Sequence, residues 1–207
     1  MSAPPTLRKP PAPSVGFFDA QFERQVRAAE FALNPFESVA LAFATGRVLD
    51  YGCGLGNFAV AAARRGCRVE ALDASPAAIE YLRRLAASEG LAIDARVADL
   101  RVHEIDGPYD TVVSIGLLCY FDRASATHAL GRLREGVRPG GVLFVNVLVD
   151  GTTWIEGFAG GPRCLVPAGE WRARLDDWEV LVDDRTDVAV ADGTVKRFVT
   201  LAARRPG

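Results

Sequence analysis

The sequence predicts a doubly wound α/β fold, an open and mostly parallel sheet with helices on both faces. Three observations predict it. From Arg47 onward, short apolar runs of strand length alternate with longer helical runs. The first of these strands ends in a glycine turn, Gly52-Cys53-Gly54-Leu55-Gly56. The chain closes with two strand-like runs around Asp192-Gly193, a hairpin that a parallel sheet accepts at its edge.

The elements follow in order. Pro4, Pro5, Pro10, Pro11 and Pro13 make residues 1–16 a flexible, extended lead-in, so residues 17–207 form a single domain. Phe18, Phe22, Val26 and Ala29 recur at helical spacing, which starts a helix at Phe17. Asn34-Pro35 breaks that run and opens a second short helix to Ala44. Arg47 to Tyr51 is the first strand. Asn57 to Arg65 is an Ala-rich helix stopped by Gly66, and Arg68 to Leu72 is the second strand. Ser75-Pro76 supplies an N-cap and a first-turn proline for a helix running to Gly90. Ile93 to Ala98 alternates as a third strand. Asp110 to Ile115 has the continuous apolar run of a buried parallel strand. Ala124 to Val137 is a helix, and Pro139-Gly140-Gly141 turns it into a strand from Val142 to Val149. Gly151 to Gly169 is a long glycine-rich loop, and Trp178 to Val182 and Val195 to Ala203 are the closing strands.

Composition excludes several classes. The 207 residues are 49% hydrophobic and 24% charged, enough apolar mass for a sizeable core. Lys plus Arg number 24 against 26 Asp plus Glu, a net charge of −2. That balance gives no bulk attraction to nucleic acid or to an anionic membrane. Cys53, Cys67, Cys119 and Cys164 lie far apart, and His103 and His128 are the two histidines, so no zinc-ligand spacing occurs and no metal is expected. With no apolar leader or long apolar span, a cytoplasmic chain with reduced thiols is expected.

The chemistry concentrates at the carboxyl ends of the strands. The glycines of the first turn let a ligand approach the backbone at a helix N-terminus. A dinucleotide fingerprint would put glycine where Asn57 stands, and Asp50 precedes the first glycine by two residues. A carboxylate there repels pyrophosphate and attracts an ammonium group. Asp73, at the end of the second strand, is placed to accept two ribose hydroxyls. Asp99, after the third strand, is placed to accept an exocyclic amine. Together the three acids describe a nucleoside bearing an amino acid.

These residues carry a resemblance. Val48-Leu49-Asp50-Tyr51-Gly52-Cys53-Gly54-Leu55-Gly56 resembles the first motif of class I S-adenosylmethionine-dependent methyltransferases. Leu72-Asp73, Ala98-Asp99-Leu100, Tyr109 to Ser114, and Val137-Arg138-Pro139-Gly140-Gly141 resemble the motifs that follow it, in order, over residues 46 to 150. The resemblance implies a Rossmann-like sheet of seven strands, the last antiparallel, with an N-terminal helical cover. It implies S-adenosylmethionine as cofactor and S-adenosylhomocysteine as product. The implied cofactor contacts are Asp50, Gly52, Cys53, Gly54, Asp73, Ala74, Asp99, Leu100, Ser114 and Ile115. Cys164-Leu165-Val166, Glu170-Trp171, Asp177-Trp178-Glu179 and Phe198 to Arg204 resemble the tellurite-resistance methyltransferase family. The stretch from Asp183 to Lys196 lacks the histidine that members of that family carry in the tail.

No general base stands out, so the catalytic residues are open. Methyl transfer then favours a small acceptor that is soft or easily ionised, of thiol or chalcogen type. Phe18, Phe22 and Arg24 on the first helix, with Trp154 in the glycine-rich loop and Arg185 in the tail, are candidates for a cover over the acceptor. The loop aromatics Trp154 and Phe158 fit a satellite core equally well. Tyr120 serves either packing or the acceptor pocket. Ser114-Ile115-Gly116-Leu117 stands where an adenine amino-methylase would carry Asn-Pro-Pro-Tyr or Asp-Pro-Pro-Tyr, which argues against nucleic acid as substrate. A non-catalytic cofactor-binding sensor and a methyltransferase acting on protein or RNA are the rival readings. A monomer or homodimer is expected.

Overall fold

A computed structural model describes residues 13–207, so the proline-rich lead-in lies outside the described residues up to Pro11-Ala12. Helix α1 spans Pro13–Ala28 and starts four residues before Phe17, because a proline in the first turn already has a helical φ and lacks an N–H that no carbonyl would meet. Helix α2, Pro35–Leu41, opens on a capping box: Asn34 Oδ1 accepts from the Glu37 N–H at 2.9 Å, and Glu37 Oε2 accepts from the Asn34 N–H at 2.8 Å.

The α/β alternation then runs β1 Arg47–Tyr51, α3 Asn57–Arg64, β2 Arg68–Asp73, α4 Pro76–Glu89, β3 Ile93–Val97, β4 Tyr109–Ile115, α5 Arg123–Gly136 and β5 Val137–Leu148. A short helix α6, Ala168–Ala173, precedes the hairpin of β6 Glu179–Ala189 and β7 Val195–Arg204. The seven strands form one sheet in the order β3-β2-β1-β4-β5-β7-β6. β1 to β5 pair in parallel, while β7 is antiparallel to both β5 and β6.

Two strands, β5 and β6, also differ from the sequence expectation. β5 begins at Val137, so Pro139-Gly140-Gly141 lies inside the strand and not ahead of it. The register with β4 slips between Tyr109 and Thr111, a bulge that accommodates the proline without a ladder N–H. β6 runs on to Ala189, seven residues beyond Val182. Its second half is largely exposed and rich in acids, which hides it from a search for apolar alternation.

The sheet is buried on both faces. Leu49, Tyr51, Val112, Leu143 and Val145 pack with Ala126, Leu130 and Leu133 of α5. Val48, Ala71, Val113 and Phe144 pack on the other face with Phe58 and Ala62 of α3 and Ile79 and Leu82 of α4. Each buried Leu or Phe contributes roughly 1.5–3 kcal/mol. The strand order reverses between β1 and β4, and it is outside the carboxyl ends of those two strands that an open α/β sheet leaves a crevice.

Candidate cofactor and acceptor site

One cavity of about 2040 Å³ fills that crevice and continues over the C-terminal hairpin. Its first wall is the turn after β1. Gly54 has φ +52°, and a Cβ there would come within 3.1 Å of the Phe22 ring, so the ring of α1 lies directly on the turn. Gly56, φ +81°, caps α3 in the left-handed region and has no side chain to offer.

Asp73 ends β2 and is tied down twice. Its Oδ2 accepts from the Gly54 N–H and its Oδ1 from the Ser75 N–H, each at 2.8 Å. Burial raises its carboxyl above the usual value, while the backbone donors at Ser75, Gly54 and Ala74 oppose that shift. Three backbone donors on about four lone-pair sites leave the carboxylate able to accept a further hydrogen bond from a ribose hydroxyl. Asp50 is 4% exposed, and its Oδ2 has no hydrogen-bond partner among the described residues although the residue lines the cavity. Burial first, then Glu37 and Asp73, hold its carboxyl well above the usual range. A buried carboxylate in that position calls for a cationic donor. The ammonium group of an amino acid supplies one, so the residues present fit S-adenosylmethionine.

Asp99 also lines the cavity, and it is bound to Arg101 by an ion pair at 2.7 Å and by the Arg101 N–H at 3.2 Å. Gly52, Cys53, Ala74, Leu100 and Ile115 line the cavity as well. Ser114 does not. It shares the parity of Val112, faces the α5 side of the sheet and is fully buried beneath the cavity wall. Burial and the Asp50 and Asp73 carboxylates push the Cys53 thiol far above its usual value, which keeps it an un-ionised wall residue.

The cover is built mainly from α1. Phe18, Phe22 and Arg24 line the cavity, and Asp19 Oδ1 meets Ser75 Oγ at 2.5 Å, tying the helix to the start of α4. The Phe18 ring stands edge-on to Tyr120 at 5.0 Å, and Tyr120 lines the same space. Trp154 lines the cavity while being only 6% exposed, packed on Phe17 at 6.0 Å with the Lys196 ammonium 3.8 Å from its ring. It is wall and core at once. Phe158 sits behind Tyr120 at 4.8 Å and belongs to the core. Arg185 does not line the cavity. On β6 it alternates with Asp184 and Thr186, which line the cavity, and its guanidinium pairs with Asp183 at 3.2 Å.

Sequence reasoning missed Glu37, Asn146, Asp184, Lys196, Phe198 and Thr200, all of which line the cavity. The Asn34-Pro35-Phe36-Glu37 capping signature was a signal for Glu37, since it fixes the direction of that side chain. The others lie one or two to a strand and meet only through sheet register. His103 and His128 are not on the cavity wall. Among the described residues no group of three or more His, Cys, Asp or Glu side chains could hold a metal ion, and no helix is long and apolar enough to cross a membrane.

A doubly wound seven-stranded sheet, with a glycine turn and strand-end acids that fit an aminoacyl nucleoside, is the Rossmann-like methyltransferase fold. Comparison with known proteins agrees: residues 48–141 match the family model described as a methyltransferase domain. The ubiquinone biosynthesis O-methyltransferase of Methylocella silvestris is 38% identical over 104 residues, 49% of this chain and 40% of that protein. The one from Xanthomonas euvesicatoria is 34% identical over 124 residues, 56% of this chain and 51% of that one. The chain thus spans about half the length of the curated relatives it matches. TehB from Haemophilus influenzae superposes with a TM-score of 0.70 at 20% identity, covering 87% of this chain and 65% of that one. This likeness is one of fold.

Proposed function

We propose that the protein transfers a methyl group from S-adenosylmethionine to a small-molecule acceptor that is soft or easily ionised at the attacking atom. The observation that carries this reading is the continuity of the cavity. One space runs from Asp73 and Asp50, past Leu117 and Tyr120, to Phe198 and Lys196, so cofactor and acceptor would share a single, mostly apolar-lined chamber.

When bound, S-adenosylmethionine supplies a methyl group on a positively charged sulfur. The chain's own residues do the rest. Asp50, with Glu37 nearby, balances the ammonium, Asp73 holds the ribose, and Asp99 stands at the adenine side. Phe18 and Phe22 exclude water and present π faces that favour a cation. The acceptor is held behind the methyl carbon, and this positioning supplies much of the rate. The bound cofactor would supply the carbon–sulfur bond that the acceptor's lone pair displaces, the bonding pair going to sulfur. No imidazole lines the chamber to take a proton, which suits a thiol, a chalcogen or another acidic acceptor. Relatives named for O-methylation in ubiquinone biosynthesis support a small organic acceptor. Four free thiols suit a reducing compartment, which supports the cytoplasm.

The test is incubation with methyl-labelled cofactor and a panel of thiols, reduced chalcogens, phenols, amines and carboxylates, followed by product detection. Label appearing in one small-molecule class supports the reading. Cofactor binding with label transferred only to added protein or RNA, or to nothing in a broad panel, would overturn it in favour of a macromolecular substrate or a sensor.

A further inference from the structure

The cavity floor beyond the cofactor residues is one face of the C-terminal strands, and its polar groups stand in register. Asn146 of β5 lies opposite Thr200 of β7, and Thr200 lies opposite Asp184 of β6. Ile115 of β4 completes the row. The next row toward the hairpin is Leu148, Phe198 and Thr186. Lys196 follows two residues further along β7, opposite Val188. Every residue of these rows lines the cavity.

Asn146 is the anomaly. Its side chain is fully buried, and one end of its amide donates to Thr200 Oγ1 at 2.9 Å. The other end, Oδ1, is buried without a hydrogen-bond partner among the described residues. A buried carbonyl oxygen left unmade costs stability, so its position on the wall of a chamber points to a donor on the ligand. The surrounding surface is aromatic: Phe36 packs on Phe198 at 4.8 Å, and Trp154 closes the far side. Flat apolar walls suit a flat apolar body. At the far end the Lys196 ammonium rests on Trp154, partly withdrawn from water, with Glu156 and Asp192 its nearest charged influences. Thr200 and Lys196 are four positions apart along β7, about 13 Å of strand. That span suits two fused rings with a substituent at each end better than a single ring.

We propose that the acceptor is a planar aromatic compound that donates an O–H or N–H hydrogen bond to Asn146 Oδ1 beside the reacting atom and places an anionic group at Lys196. The inference rests on the methyltransferase reading above and deepens it. Asn146 and Lys196 are specificity-determining residues for that acceptor, one at each end, with Thr200 holding the Asn146 amide in place.

The experiment measures binding of fluorescent naphthalene probes to the full chain saturated with S-adenosylhomocysteine. The probes are 6-hydroxy-2-naphthoate, its 6-methoxy analogue and 2-naphthol. The hydroxynaphthoate is expected to bind best, with the methoxy analogue weaker by about tenfold to a hundredfold, the usual worth of one charged or buried hydrogen bond. 2-Naphthol should bind with the weaker affinity and be indifferent to Lys196→Met, whereas the hydroxynaphthoate loses about tenfold in that variant. Asn146→Leu should erase the difference between hydroxy and methoxy probes while leaving S-adenosylhomocysteine affinity within about threefold. Because Asn146 is buried, Thr200→Val is run beside it and should shrink the same difference, and the comparison of probes on the unaltered chain needs no variant at all. Equal binding of hydroxy and methoxy probes to the unaltered chain overturns the role of Asn146. Failure of all three probes while S-adenosylhomocysteine binds overturns the aromatic acceptor class and leaves the methyltransferase reading standing. Failure of S-adenosylhomocysteine itself overturns that reading, and the inference with it.

Discussion

The Gly54 N–H donates to Asp73 Oδ2 at 2.8 Å, so the glycine turn after β1 and the acid that ends β2 are one hydrogen-bonded unit. The same carboxylate also holds the Ser75 N–H that begins α4. Asp73 therefore shapes the turn and the start of α4, besides its proposed role toward the cofactor ribose. Asp73→Ala is expected to weaken S-adenosylhomocysteine binding by about 1.5–3 kcal/mol, the worth of hydrogen bonds to a charged group. It should also cost about 1–2 kcal/mol of stability, because two backbone donors lose their acceptor. Calorimetry and thermal melting on the same sample check the two effects. Affinity within twofold of the unaltered chain would remove Asp73 from the ribose site.

Asp50 sets the pH dependence. In the folded chain without cofactor its carboxyl is held well above the unfolded value by burial, by Glu37 and by Asp73. The folded state then binds that proton more tightly than the unfolded state. The stability this gives is complete below the unfolded value, about 3.9, and is lost as pH rises through the folded value. Asp50→Asn lacks that loss, so it should melt higher than the unaltered cofactor-free chain near neutral pH, with the gap closing toward pH 4. Cofactor affinity runs the opposite way. The ammonium needs the carboxylate, so affinity should rise with pH through the same range and be weaker and flatter in the variant. An identical pH slope in both proteins would show that Asp50 does not face the ammonium.

Gly56 separates backbone strain from crowding. At φ +81° a side chain is strained, and a Cβ there would lie 2.5 Å from Cδ1 of the fully buried Leu82. Gly56→Ala should cost about 2–5 kcal/mol, the left-handed penalty plus overpacking. Gly66 has φ +90° with open space around it, so Gly66→Ala carries only the backbone share. Denaturant unfolding of the two variants is expected to rank them in that order, and a reversal would mean that Leu82 yields freely.

The half of the cavity proposed for the cofactor is legible in the sequence because its chemistry is consecutive. Asp50 to Gly56 is a single strand and turn, and Asp73 and Asp99 each end or follow a strand, so spacing alone gathers them. The acceptor floor is different. Asn146, Thr200, Asp184 and Lys196 are separated by up to 54 residues, and only the β5-β7-β6 register joins them. Arg185 was drawn into the cover because β6 read as ending at Val182. With the strand extended to Ala189, alternation sends Arg185 to Asp183 and brings Asp184 and Thr186 to the cavity. Ser114 lies off the cavity wall for the same reason of parity, one residue from Ile115, which lines the cavity.

The aromatics of the cover can be told apart by substitution. Trp154 is 6% exposed, and its indole lies where a Cβ on Gly157 would fall, 2.2 Å from its Cη2. With Phe17, Phe158 and Lys196 also against it, Trp154→Ala opens a cavity in packed structure. It should cost about 3–5 kcal/mol, whatever it does to turnover. Phe22 is half-buried on one turn of α1, touches Phe18 at 6.2 Å, and covers Gly54. Little of the core leans on it, so Phe22→Ala should cost about 1 kcal/mol of stability for its partial burial. If Phe22 covers the cationic sulfur, as the cover reading has it, the ring–cation contact is worth about 0.5–2 kcal/mol. Turnover per folded molecule is therefore expected to fall well beyond the stability loss, with S-adenosylhomocysteine, which carries no sulfonium charge, losing less affinity than S-adenosylmethionine. Melting, calorimetry with both ligands, and turnover on whichever acceptor the labelled panel identifies read these effects separately. Equal losses for the two ligands would reduce Phe22 to a hydrophobic lid. Normal turnover with a large fall in melting temperature would make it a core residue and move the cover to Phe18 and Tyr120.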